Sequence, residues 1–176
     1  MKRFLLVIVL FVVLSGAVFA SDVHPDGLGI GVLWGGNFGW NGWGFGQNIG
    51  LSLKIPSVPV FLGIFFGGIG SDGFSVGFQG DIYFLGSEIV PTFGWFLGAG
   101  IYASIWHFSP DEDTSLSSLD FGVRLPIGLT FQPIDLLEVF FNLAPSLGTG
   151  VSLGRKNEIK GLGGGLGAEL GLRLWF

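Results

Sequence analysis

The chain has 176 residues, with eight Lys and Arg against thirteen Asp and Glu and a formal net charge of −5, so it lacks the basic patch that nucleic-acid binding requires. It has no cysteine, which excludes disulfides and thiol chemistry. Only 12% of residues are charged, while glycine numbers 33 and phenylalanine 19, a composition that would leave a soluble domain with large exposed apolar patches.

Residues 1–20 read as a secretory signal peptide. Lys2 and Arg3 give a positive start, residues 4–14 are apolar, and Gly16, Ala17 and Ala20 supply small residues before a cut. The alternative is a retained helix, because residues 4–20 carry no charge. The small residues favour cleavage. No cysteine follows to take a lipid anchor. The expected mature domain is residues 21–176, with six basic residues against thirteen acidic ones.

Beyond Ser21 the apolar signal has period two, the mark of strands with two different faces. The first predicted strand sets Leu28, Ile30, Val32 and Trp34 against Gly29, Gly31 and Gly35. The second sets Phe45, Ile49, Leu51, Leu53 and Ile55 against Gly46, Asn48, Gly50, Ser52 and Lys54. The third has Val60, Leu62, Ile64 and Phe66 on one face, and Phe61, Gly63 and Phe65 on the other weaken its register. The fourth carries Phe74, Val76, Phe78, Ile82 and Phe84 opposite Ser75, Gly77, Gln79, Asp81 and Tyr83.

The fifth opposes Phe93, Trp95, Leu97, Ala99, Ile101, Ala103 and Ile105 to Gly98, Gly100, Tyr102 and Ser104. In the sixth, Leu119, Phe121, Val123, Leu125, Ile127, Leu129 and Phe131 alternate with Asp120, Gly122, Arg124, Pro126, Gly128 and Thr130. The seventh opposes Leu137, Val139, Phe141, Leu143 and Leu147 to Glu138, Phe140, Asn142, Ala144 and Ser146. The eighth runs over residues 162–176 and ends with Leu170, Leu172, Leu174 and Phe176 alternating with Glu169, Gly171, Arg173 and Trp175.

Eight such strands, each long enough to cross a membrane at a tilt, predict an all-β, eight-stranded antiparallel up-and-down transmembrane β-barrel. The connections support it. Short links at 56–59, 85–91 and 132–135 alternate with longer ones at 36–44, 67–73, 106–118 and 148–160. That asymmetry puts both termini on the periplasmic side and four loops outside. Pro126 and Pro145 fall inside strands and cannot donate to a ladder. They predict bulges, or a seventh strand that pairs only up to Ala144.

Every strand charge falls on the inward face: Lys54, Asp81, Asp120, Arg124, Glu138, Glu169 and Arg173. Buried together, they predict an ionic network centred on Arg124 and Arg173. An eight-stranded barrel is just wide enough for side chains to fill, so these charges read as structural rather than catalytic. A soluble lipocalin-like barrel is the rival fold; it would turn the seven charges to water and leave Phe176 without a role.

Chemistry is sparse. His24 lies in the leader of the mature chain and reads as solvated. No metal-ligand spacing occurs, Asp111, Glu112 and Asp113 read as a solvated tip, and no cofactor motif is present. The glycine-, asparagine- and tryptophan-rich stretch at 36–46, with Trp40 and Trp43, suits contact with lipid headgroups, sugars or a partner.

Three resemblances attach to these residues. The terminal pattern Glu169, Gly171, Leu174 and Phe176 resembles the closing strand of bacterial outer-membrane barrels, which implies recognition by the barrel-assembly machinery. His107 and Ser109 resemble the His-x-Ser of lipid A 3-O-deacylases, which act with a Glu; Glu112 is nearby, but Pro110 stands where that family has Asn. As a whole, residues 21–176 resemble small barrels of the OmpX and OmpA-membrane-domain type.

Within that type, Val123-Arg124-Leu125-Pro126-Ile127-Gly128-Leu129, Leu137-Glu138-Val139-Phe140 and Ala144-Pro145-Ser146-Leu147-Gly148 are similar to a family of uncharacterised small barrels known from spirochaetes. Leu51-Ser52-Leu53-Lys54-Ile55-Pro56 and Val58-Pro59-Val60-Phe61 fit it too. The resemblance implies a non-enzymatic outer-membrane protein in contact with outer-membrane lipid. Its outer loops would serve envelope structure or adhesion, since some members are thought to bind host proteins. The alternative is a lipid esterase using His107 and Ser109.

Overall fold

The computed structural model describes residues 23–39, 46–71, 73–111, 114–153 and 158–176. The expected signal segment, Trp40, Trp43, Phe45, Glu112 and Asp113 lie outside the described residues. The strands are β1 (Gly29–Gly39), β2 (Gly46–Lys54), β3 (Phe61–Ser71), β4 (Gly73–Val90), β5 (Phe93–Asp111), β6 (Thr114–Arg124), β7 (Ile127–Ile134), β8 (Leu137–Leu153), β9 (Glu158–Ile159) and β10 (Gly163–Trp175). Among the described residues no helix is long and apolar enough to cross a membrane.

Every pairing is antiparallel between neighbours in the ring. β6 and β7 are two segments of one crossing, since β5 flanks both on one side and β8 flanks both on the other. The two-residue β9 rests on β8. β8 pairs β10, and β10 pairs β1 from Gly29↔Trp175 to Gly39↔Gly165, so eight strands close a ring.

Partners followed round the ring from Gly29 pass through Lys54, Phe61, Asp81, Gly100, Arg124, Ser146 and Gly165. The path returns to β1 at Gly39, ten residues along. With normal strand spacing that stagger tilts the strands about 41° from the axis.

The parity of the sequence sets the two faces. Val123 and Leu125 are 55% and 54% exposed on the outside, and Arg124 between them is 6% exposed inside. Ile30, Val32 and Trp34 face out while Leu33 is buried. In β3, Leu62, Ile64 and Phe66 face out and Phe61 faces in, which fixes the register that the sequence left weak.

The connections differ from expectation. The expected turn at 85–91 is mostly strand: β4 runs to Val90, and the reversal is Pro91–Thr92. Thr92 has φ 76° after the proline, the positive φ that a type II turn needs at its second corner. A bulge explains the misreading. Phe84 is the extra residue between Tyr83↔Gly98 and Leu85↔Leu97, so the alternation shifts by one there. The expected loops at 67–73, 106–118 and 148–160 are likewise largely strand, since β3, β5, β6 and β8 extend into them.

The prolines act locally. The strand assignment breaks at Leu125 and Pro126, yet Gly98 N donates to Pro126 O at 2.8 Å and Leu125 N donates to Pro145 O at 2.9 Å. Each proline accepts where a regular pair would exchange two bonds. β8 does not stop at Ala144; it continues through Pro145 to Leu153.

The outward apolar face predicts the effect of charge. Leu125→Arg near mid-strand is expected to lower stability in a lipid bilayer by about 2–4 kcal/mol, read from urea unfolding of the reconstituted barrel.

Candidate functional site in the barrel lumen

The inner half of the lumen is built around Arg173. Its Nη1 donates to Glu138 Oε2 at 2.6 Å, while Nε and Nη2 donate to Ser52 Oγ at 3.2 and 2.9 Å. The guanidinium also lies 4.8, 4.4 and 5.4 Å from the ring centroids of Phe61, Phe140 and Trp175, within cation–π range. β1 makes room for it. A Cβ on Gly29 would lie 2.6 Å from Arg173 Cδ, so a side chain there would displace the arginine.

Glu138 is fully buried and is met by four side chains, two from β10, one from β7 and one from the leader. Besides Arg173, it accepts from Trp175 Nε1 at 2.9 Å and Thr130 Oγ1 at 2.8 Å, and His24 Nδ1 lies 2.7 Å away. A carboxylate out of water is tolerated only with this much compensation.

One layer outward, Arg124 Nη1 donates to Glu169 Oε1 at 2.6 Å and to Gln79 Oε1. Arg124 Nε lies 3.2 Å from Asp81 Oδ1. Gln79 Nε2 and Asn142 Nδ2 donate to Glu169 Oε2 at 3.1 and 3.2 Å. The two remaining inward charges sit apart. Asp120 pairs with Lys160 at 2.8 Å toward the loop end, and Lys54 lies 3.7 Å from Asp26 at the opposite end. The seven inward charges therefore fall into four groups. Asp26, Lys160 and His24, which supply partners, come from outside the alternating segments and escaped the sequence pattern.

The reading of His24 as solvated is overturned. Its side chain is 4% exposed. Its ring lies 4.9, 5.2 and 5.0 Å from those of Phe61, Tyr83 and Phe96. Residues 23–28 enter the mouth of the barrel ahead of β1. Gln132 Nε2 donates to Val23 O at 3.2 Å, and Leu28 exchanges backbone bonds with Phe176 at 3.0 and 2.9 Å. With Leu33, Phe140 and Trp175, these rings fill the inner lumen. The signal available in the sequence was an isolated imidazole just before a strand, which does not say where the leader turns.

The four terminal-pattern residues have separate surroundings. Glu169 is buried against Arg124, and Leu174 and Phe176 face out at 38% and 71% exposure. Gly171 faces inward beneath Phe140, whose ring a Cβ at this position would strike.

On the outer wall, His107 pairs across strands with Ser117: Nδ1 lies 2.9 Å from Oγ, and the Phe74 ring centroid is 5.4 Å away. Ser109 belongs to β5, but its side chain lies outside the described part, as does Glu112. Among the described residues no carboxylate forms an ion pair with His107, and no group of three His, Asp or Glu could hold a metal.

Two outcomes follow from the inner lumen. Glu138→Gln leaves the Arg173 charge buried without its counter-ion, and an equilibrium unfolding titration in detergent is expected to show a loss of about 3–5 kcal/mol; Glu138→Leu with Arg173→Met should restore most of it. Gly171→Val overpacks Phe140 and is expected to cost about 1–3 kcal/mol in the same titration, with no assembly protein present.

Comparison with known proteins gives the fold and a family. Residues 41–174 match the family model described as "Protein of unknown function (DUF3996)". No curated protein matches by sequence. Neisserial surface protein A (NspA) is similar at 13% identity and TM-score 0.52, over 85% of this chain and 97% of that one. A major outer membrane protein from Thermus thermophilus gives 15% and 0.51 over 85% and 99%. Ail, the attachment invasion locus protein of Yersinia pestis, gives 15% and 0.51 over 85% and 97%. The fold is that of small outer-membrane β-barrels of the OmpX and OmpA type.

Proposed function

The chain belongs to the DUF3996 family of proteins of unknown function, and we propose that it is a non-enzymatic outer-membrane barrel that holds recognition loops at the cell surface. The observation that carries this is the filled inner lumen: Arg173, Glu138, His24 and the Phe61–Tyr83–Phe96 rings occupy the space a pore would need. A barrel whose inner end is so filled offers no conducting path, which leaves recognition to its outer end.

The neighbours support that reading. One is named a surface protein and another an attachment invasion protein. In this proposal residues 1–20 are cleaved on export, and Glu169, Gly171, Leu174 and Phe176 are read by the barrel-assembly machinery. The barrel wall meets outer-membrane lipid, and a host or envelope protein binds the outer tips.

A second reading, a lipid esterase, is favoured by one contact. Among the described residues the hydroxyl beside His107 is that of Ser117, on the outer wall. A base needs a further group to orient it, and no carboxylate is paired with His107 among the described residues. The non-enzymatic reading therefore stands first.

The test replaces residues 40–45, 112–113 and 154–157, which lie in sequence within or beside the expected outer loops at 36–44, 106–118 and 148–160, with Gly-Ser sequences in the full chain expressed on cells. Capture of host matrix and envelope proteins is expected to fall at least tenfold, with electrophoretic heat-shift unchanged. Undiminished capture would refute the loop reading. Acyl release from outer-membrane glycolipid that Ser109→Ala or Ser117→Ala abolishes would promote the esterase.

A further inference from the structure

The lumen is not filled to its outer end. Above Arg124 it widens into a cavity of about 390 Å³, within the range of small-molecule sites. Its floor is Arg124, Gln79 and Glu169. Its mouth lies among Trp106, Ser118 and Lys160 at the loop end of the strands. The inner end is shut by the Arg173–Glu138 pair and the rings around His24. The barrel is therefore a cup open on one side.

The lining states the chemistry of an occupant. Two cations, Arg124 and Lys160, face two carboxylates, Glu169 and Asp120, and each cation is already paired with one of them. No net charge is left to attract an ion. The remaining polar groups are amides and hydroxyls, from Asn48, Ser75, Tyr102, Ser104 and Ser146, which both donate and accept. Phe65 and Trp106 add aromatic surface, and the glycines at 35, 36, 77 and 167 keep the wall low.

We propose that the cup binds a small neutral polyhydroxylated molecule, a single sugar ring in size, that enters from the loop side. Its hydroxyls meet the amide and hydroxyl lining, and its less polar face lies against Trp106 or Phe65. The proposal depends on the lumen alone and is independent of whether the outer tips bind proteins.

Gly77 supplies the test. A Cβ there would sit 3.7 Å from Phe65 Cβ and Ser104 Cβ, ordinary contact, so a larger side chain enters the cup without displacing backbone. The full barrel, refolded in a detergent without a sugar headgroup, is titrated calorimetrically with D-glucose, D-galactose and N-acetyl-D-glucosamine, and with phosphate and acetate as charged probes. At least one sugar is expected to give a saturable isotherm. Gly77→Leu is expected to weaken it at least tenfold while heat-shift is retained, and Ser104→Leu gives the same blockade from the facing strand. The proposal is overturned if no sugar binds, if binding survives both variants, or if phosphate or acetate saturates the site instead.

Discussion

Closure of the ring between β1 and β10 is the constraint on which the rest depends. In hydrocarbon an unpaired backbone amide costs several kcal/mol, and no water is present to relieve it. The eleven-position pairing from Gly29↔Trp175 to Gly39↔Gly165 removes the last open edge. Once the ring closes with its ten-residue stagger, the tilt follows, and so does the alternation of every side chain between lipid and lumen.

That alternation gives the interior charges a second role. Shifting a strand by one residue would exchange its two faces. In β6 it would carry Arg124 into lipid and bring Val123 or Leu125 against Glu169. A paired buried charge is weak evidence for net stability, but a misplaced one is strongly opposed. The Arg124 and Arg173 clusters thus fix register across the ring, since each takes partners from several strands: Arg124 from β4 and β10, Arg173 from β2 and β8. The glycines serve the same end. With so little cross-section inside, long arginine side chains fit only where facing strands present no Cβ, as β1 does at Gly29.

The fold was legible in the sequence because lipid imposes strict parity, and parity can be read residue by residue. It carried the orientation of Arg124, Val123 and Leu125 and the count of eight crossings. It failed where parity itself fails. The Phe84 bulge hid the lower part of β4, because Leu85-Gly86-Ser87-Glu88 reads as a turn once the alternation slips. It also could not report partners from non-alternating segments. Lys160 precedes β10, Asp26 precedes β1, and His24 reaches inward only because the leader bends into the mouth. The His107 contact is similar: the His-x-Ser resemblance singled out Ser109, and only antiparallel pairing shows that Ser117 lies beside the ring.

The outward face changes character along β5 and β6. Ile105 and Leu119 are still apolar and exposed; the next outward pair is His107 and Ser117. The hairpin nevertheless continues through one irregularity to Asp111 and Thr114, which are still paired. At the tilt of this barrel, those additional residues raise a parapet of about 10 Å above the greasy belt. Whatever meets its summit does so clear of the hydrocarbon, without having to penetrate the bilayer.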